Sequence, residues 1–177
     1  MTQLAKYNIA FKGLAEGSHE FEYLIEKKFF DYFAGGIADD GNVEVKVILK
    51  KQSALMVLWF HVSGSVKIQC DRCLDLFDQT IESENKICVK YGEESFDEGD
   101  DVIWVGQGDS HVNVAKLIYD FIILSIPIKH VHPEKPDGST DCNPEMLNKL
   151  TKAESSDSDI QETDSRWDEL KKLLDNE

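Results

Sequence analysis

The sequence predicts an α+β fold: an antiparallel β-meander sheet, open or barrel-like, packed by one long helix, with short helices beside it and a flexible acidic C-terminal tail. Three observations carry this. Segments with apolar residues at every second position follow one another across short turns, without the crossover helices that join parallel strands. One later stretch, His111 to Pro127, has apolar residues three and four apart, the spacing of a helix laid on a sheet. After Leu150 the composition turns polar and acidic. The chain has 177 residues, 41% of them hydrophobic, which is enough for a buried core. Residues 1–150 therefore read as a single globular domain, and residues 151–177 as an acidic linker closed by a short amphipathic helix.

Lys6 to Leu14 is the first expected strand, with Tyr7, Ile9 and Phe11 on one face. Gly13 and Gly17 permit a turn, and His19 to Ile25 resumes the alternation through Phe21, Tyr23 and Ile25. From Glu26 the pattern is that of a short helix whose Phe29, Phe30 and Phe33 read as core packing, stopped by Gly35-Gly36. Val43 to Lys50 alternates, with one face buried and the other wet. Ala54 to Val62 is apolar on both faces, as expected of a central strand, and Gly64 marks a turn into a further strand through Val66, Ile68 and Cys70. Thr80 to Tyr91 and Val102 to Val105 complete the sheet. In the helix His111 to Pro127, Asn113 is the candidate cap, Val114, Leu117, Ile118, Phe121 and Ile122 form the stripe, and Pro127 is the stop. Pro144 to Leu150 is a second short helix, capped by Asn143.

No stretch approaches the ~20 apolar residues of a membrane helix. The opening residues, MTQLAKYNIAFKGL, lack a basic region followed by a long apolar run, which predicts a cytoplasmic chain with no secretion signal. The net charge of −15 is unevenly placed. Residues 1–70 hold eight Lys and eight acids, and everything after Cys70 holds the remaining 26 acids and 11 bases. That balance opposes non-specific gripping of bare nucleic acid and suits docking a basic protein. Glu93 to Asp101, with six acids and no base, reads as a solvated loop, since the spacing of a calcium loop is missing.

The chemistry-bearing stretch is SVKIQCDRCLDLF, Ser65 to Phe77, where a strand runs into Cys70 and Cys73. Two thiolates on one tight turn are half of a tetrahedral zinc site. The segment after Pro127, IKHVHPEKPDGSTDCNPEM, offers His130, His132 and Cys142. Cys70, Cys73, Cys142 and one of these histidines would make a closed, structural set of three sulfurs and one nitrogen, and a helix starting at Pro144 would favour the Cys142 thiolate. The spacing H-x9-C is looser than a second C-x-x-C. Redox chemistry is the competing reading, because Arg72 between the thiols would lower their pKa. Against it, a thioredoxin-like motif leads into a helix in a βαβ unit, whereas this one ends a meander strand. Cys88 reads as a partly exposed free thiol. No orienting third group points to Cys–His nucleophilic catalysis. In the tail, Trp167, Leu170, Leu173 and Leu174 form one side of a short amphipathic segment that docks on its own domain or in a partner's groove.

Together, V-K-I-Q-C-D-R-C-L-D-L-F, the helix L-I-Y-D-F-I-I-L-S-I-P, the H-P and C-N-P-E-M after it and the closing D-S-R-W-D-E-L-K-K-L resemble the YceD family. These are bacterial proteins, with plastid relatives, linked to accumulation of the large-subunit ribosomal RNA. The resemblance covers Gly64 to Leu174 well. Its spacing from Pro127 selects His132 over His130, giving Cys70, Cys73, His132 and Cys142 as the implied ligands of a structural zinc ion. Many relatives carry further cysteines after this proline, whereas this chain has Cys142 alone there. The resemblance implies a non-enzymatic accessory role in large-subunit assembly, through a ribosomal protein or assembly factor and so indirectly with rRNA. No membrane and no small-molecule substrate is implied. Arg72, Trp167 and Leu170 are the candidate partner contacts. A thiol- or metal-dependent enzyme built on Cys70 and Cys73 is the alternative.

Overall fold

Alternating sequence becomes strand wherever one parity can be buried, and this decides most of the architecture. The computed structural model describes residues 4–33, 35–53, 55–92 and 101–157, the last five by backbone alone. By its contacts the chain divides into two compact units, one of Met1–Gln69 with Leu76–His130, the other of Cys70–Asp75 with Val131–Glu177.

The first unit is α+β. Its elements are a single 3-10 turn at Ala5–Tyr7, β1 (Asn8–Ala10), β2 (Gly17–Ile25), α1 (Lys27–Phe30), β3 (Asp40–Lys51), β4 (Leu55–Gln69), β5 (Leu76–Tyr91), β6 (Val102–Val105), β7 (His111–Asn113) and α2 (Ala115–Leu124). Five strands form one sheet in the order β2-β3-β4-β5-β6, and β1 pairs with β7 in a second, two-stranded sheet. The core lies on one side of the large sheet. Val43, Val45, Val47 and Leu49 of β3, Met56, Leu58, Phe60 and Val62 of β4, and Ile81, Ile87 and Val89 of β5 are all buried in it. Ile118, Phe121 and Ile122 of α2 close the same core, with the rings of Phe60 and Phe121 edge to face at 5.0 Å.

Four expectations are corrected. The sheet is not a closed barrel among the described residues, because its outer strands β2 and β6 are not paired with each other. It is mixed: β6 runs parallel to β5, with Cys88 opposite Val102. Gly64 does not turn the chain. It sits inside a single 15-residue strand, β4, opposite Val43 of β3. Its φ is +150°, and a Cβ there would lie 2.7 Å from Val43 Cα, so glycine permits a close strand approach instead of a reversal. The long helix is a ten-residue one, because His111–Asn113 is recruited as β7 against β1, with Val112 opposite Ile9. Asn113 still serves the helix start, its Oδ1 accepting from the Ala115 N–H at 3.0 Å.

The second unit holds the turn Cys70–Asp75, the segment from Val131 and α3 (Pro144–Asp157). Asn143 caps α3 through Oδ1 on the Glu145 N–H, 3.0 Å away. The helix runs past Leu150, where a linker was expected, since no Gly or Pro interrupts Thr151 to Asp157. The later tail lies outside the described residues. No helix among the described residues is long and apolar enough to cross a membrane.

A candidate metal centre

The turn that connects β4 to β5 brings Cys70 and Cys73 to one point. The Cys70 N–H donates to the Asp75 carbonyl and the Leu74 N–H to the Cys70 carbonyl, both at 2.9 Å. Leu74 holds a left-handed φ of +64° while more than half of its side chain is exposed. The strain is therefore accepted for the sake of the turn, not for packing.

Downstream, the loose spacing between His132 and Cys142 is taken up by a small hairpin. Glu134 and Thr140 form a β-bridge, the Lys135 N–H donates to the Ser139 carbonyl at 2.8 Å, and Gly138 sits at φ +79°. Asp137 Oδ1 accepts from both the Ser139 hydroxyl and its N–H, which holds the Asp137 carboxyl below its ordinary range. The intervening residues thus leave and return, and Cys142 ends beside His132. The Pro136-Asp137-Gly138 signature was the sequence signal for this.

Four donors converge. Cys70 Sγ and Cys142 Sγ are 3.8 Å apart, and His132 Nδ1 is 3.5 Å from both Cys73 Sγ and Cys142 Sγ. One ligand atom from each of the four residues lies within 4.8 Å of every other, and all four residues are buried. Three soft sulfurs and an imidazole nitrogen at this separation could hold a metal ion.

The electrostatics favour a ready thiolate. Burial pushes the Cys70 thiol up, but the backbone N–H groups of Cys73, His132 and Arg72 outweigh it and bring Cys70 down to about 6. Cys142 goes the other way, raised chiefly by burial and further by its sulfur neighbours. Burial thus outweighs any help that the α3 N-terminus gives the Cys142 thiol, while the N–H groups of Cys73, Arg72 and His132 lower that of Cys70.

His130 does not join the cluster; its Nδ1 meets the Gln69 carbonyl at 3.0 Å. Cys88 is half-buried on β5. Arg72 is about one-third exposed and faces Glu134 at 3.8 Å, a pairing the sequence reading did not anticipate. Trp167 and Leu170 lie outside the described residues.

The family model for the large ribosomal RNA subunit accumulation protein YceD matches residues 58–174, a span that takes in all four cluster residues. No curated protein and no solved structure matches the chain significantly.

Proposed function

This chain belongs to the YceD family, and from that membership we propose that it is a non-enzymatic accessory factor in assembly of the large ribosomal subunit, working in the cytoplasm through protein contacts. One observation supports the role assigned to the cluster: among the described residues of the second unit, the four buried ones are Cys70, Cys73, His132 and Cys142. A segment without an apolar core of its own needs a staple, and a structural metal supplies folding energy directly. Zinc is the ion this donor set fits. A tetrahedral site with metal–sulfur bonds of ~2.3 Å has sulfur–sulfur edges of ~3.8 Å, and Cys70 and Cys142 stand 3.8 Å apart. Four protein donors would leave no open position for a substrate.

The partner is a basic ribosomal protein or assembly factor of the large subunit, met by the acidic half of the chain, with Arg72, Trp167 and Leu170 as contacts and rRNA reached through that protein. The chain beyond α3, residues 158–177, would serve as the acidic linker and helix of that contact. A thiol-dependent enzyme is the second reading, favoured by the low Cys70 pKa. It is disfavoured by burial, since Cys70 is 0% and Cys73 2% exposed and a substrate would have to reach them.

The test is affinity purification of the tagged chain from its host, followed by nuclease digestion and mass spectrometry. Recovery of large-subunit proteins that survives digestion is expected. Their absence before digestion would overturn the assembly reading, and their complete loss on digestion would overturn the protein-contact mechanism.

A further inference from the structure

The two edges of the large sheet differ in kind. β6, on one side, is four residues long, whereas β2, on the other, runs nine residues in unbroken register with β3, from Gly17 opposite Lys51 to Ile25 opposite Val43. β2 pairs with β3 alone, and among the described residues none of its backbone groups bonds to the backbone of any other element. Alternate residues of an edge strand turn their N–H and C=O groups outward, where they form a template for another extended chain. Such edges are ordinarily guarded by proline, lysine or a bulge. β2 has none of these. Its inward parity is His19, Phe21, Tyr23 and Ile25, and of these Phe21 and Tyr23 are only half-buried at the rim of the core. A further strand would cover them.

The outward parity selects the occupant. Ser18, Glu20, Glu22 and Leu24 are exposed on the solvated face, opposite Lys50, Ile48, Lys46 and Glu44 of β3. Lys46 is bonded to Glu20 at 2.6 Å, and Lys50 lies over the Trp59 ring at 5.6 Å. Beyond β3, His61 of β4 follows Lys46 and meets Glu84 of β5 at 3.0 Å, while Ser63 follows Glu44 and stands opposite Glu82. Between these side chains the face dips into a groove of about 630 Å³ that opens at β2, lined by Glu22, Leu24, Glu44, Lys46, His61 and Ser63. Around the groove, Glu20, Glu22, Glu44, Glu82 and Glu84 therefore outnumber Lys46 and His61, and the next cation along β5 is Lys86, opposite Trp59.

An antiparallel pair of β2 strands from two copies, centred on Phe21, would set Glu20 against Glu22 of the second copy, and like charges directly opposite are destabilising. Residues 158–177 of the chain itself, with seven acids and three bases, meet the same repulsion. A basic extended segment does not. Its lysines or arginines would face Glu20 and Glu22 and reach the groove, while apolar residues of its other parity would cover Phe21 and Tyr23.

We propose that β2 is a docking edge for an extended segment of a basic protein, which joins the sheet as a sixth strand with basic and apolar side chains in alternation. The proposal rests on the large-subunit reading for the identity of that protein, and it adds the edge of the sheet to the contacts proposed above. Main-chain hydrogen bonds supply affinity in such additions, and the side chains of alternate residues supply specificity.

The test titrates the full chain, at about 0.15 M salt to screen loose attraction, with a labelled peptide as long as β2 in which lysine alternates with valine. Three relatives accompany it: one with glutamate for lysine, one of the same composition with all lysines before all valines, and one methylated on alternate backbone nitrogens. Anisotropy gives the affinity, and hydrogen exchange followed by NMR locates the contact. The alternating peptide should bind and slow exchange at the outward amides of β2. The blocked order and the methylated backbone should each weaken binding roughly tenfold, and the glutamate peptide should not bind. Glu22→Lys should weaken binding of the alternating peptide roughly fivefold, with Glu22→Gln as the milder substitution if the reversal does not fold. Equal binding of any of the three relatives, no protection of β2, or wild-type affinity in the folded Glu22 variant would overturn the proposal. So would β2 amides already protected in the peptide-free chain at concentrations where it dimerises, which would give the edge to a second copy. If the peptide fails while the tagged chain still recovers large-subunit proteins, the docking edge is removed and the assembly role stands; the opposite pair of results removes the assembly role and keeps the edge.

Discussion

The sulfurs of Cys70 and Cys142 lie 3.8 Å apart although 72 residues separate them along the chain. One comes from a turn between strands and the other from the end of a hairpin, so whatever holds them together closes a long loop. If that agent is a metal, Cys70→Ser should lose about one equivalent of zinc and roughly 2–4 kcal/mol of stability. Metal analysis and thermal melting check both. An unchanged melting temperature with full metal content would show that Cys70 is not a ligand.

At Gly64 β3 and β4 approach closely, a Cβ there falling 2.7 Å from Val43 Cα. Gly64→Ala should cost roughly 2–4 kcal/mol, combining an unfavourable φ with a clash against the Val43 backbone. Gly13 has nothing within 4 Å of its would-be Cβ, and its φ is ordinary. Gly13→Ala should therefore stay within about 0.5 kcal/mol. Urea unfolding of the two variants side by side reads the contrast; equal midpoints would refute it.

Burial, aided by the neighbouring Tyr7, pushes the Tyr23 phenol up to about 12 from an ordinary 10.0. Because the folded pKa is raised, the neutral phenol is the form the fold prefers. Its contribution to stability is complete below pH 10.0 and is lost as pH rises through about 12. Alkaline unfolding followed by circular dichroism, with tyrosinate absorbance alongside, should find Tyr23 ionising only as the sheet melts. Tyr23→Phe should move that transition to higher pH, and identical transitions would remove Tyr23 as its cause.

Arg72 and Glu134 form an open ion pair at 3.8 Å, with side chains 35% and 69% exposed. Such pairs contribute little, so Arg72→Ala should change stability by at most ~0.5 kcal/mol. The N–H of residue 72 that supports the Cys70 thiolate belongs to the backbone and survives the substitution. Zinc content should therefore hold while recovery of large-subunit proteins falls several-fold. A parallel loss of zinc would mean that Arg72 acts through the cluster instead of on a partner.

Much of this was legible because it is local. The alternation of Val43, Val45 and Val47, the stripe of Ile118, Phe121 and Ile122, the C-x-x-C turn and the Asn143-Pro144 helix start each depend on residues a few positions apart. The donor set was readable in kind, since sulfur and imidazole advertise soft-metal chemistry wherever they fall. The strand order was not readable: nothing in the sequence leaves β2 at the edge of the sheet until the pairing is known.

The sequence by itself determined which faces are apolar, which residues could serve as ligands and where the charge lies, because these follow from side-chain chemistry and short-range periodicity. Tertiary structure decided that Gly64 is a close approach and not a turn, that His111–Asn113 pairs as a strand, and that a hairpin carries Cys142 back to His132. In each case pairing between distant strands, or a turn that folds back on its own flanks, outweighed the local preference, which amounts to only ~1 kcal/mol per residue.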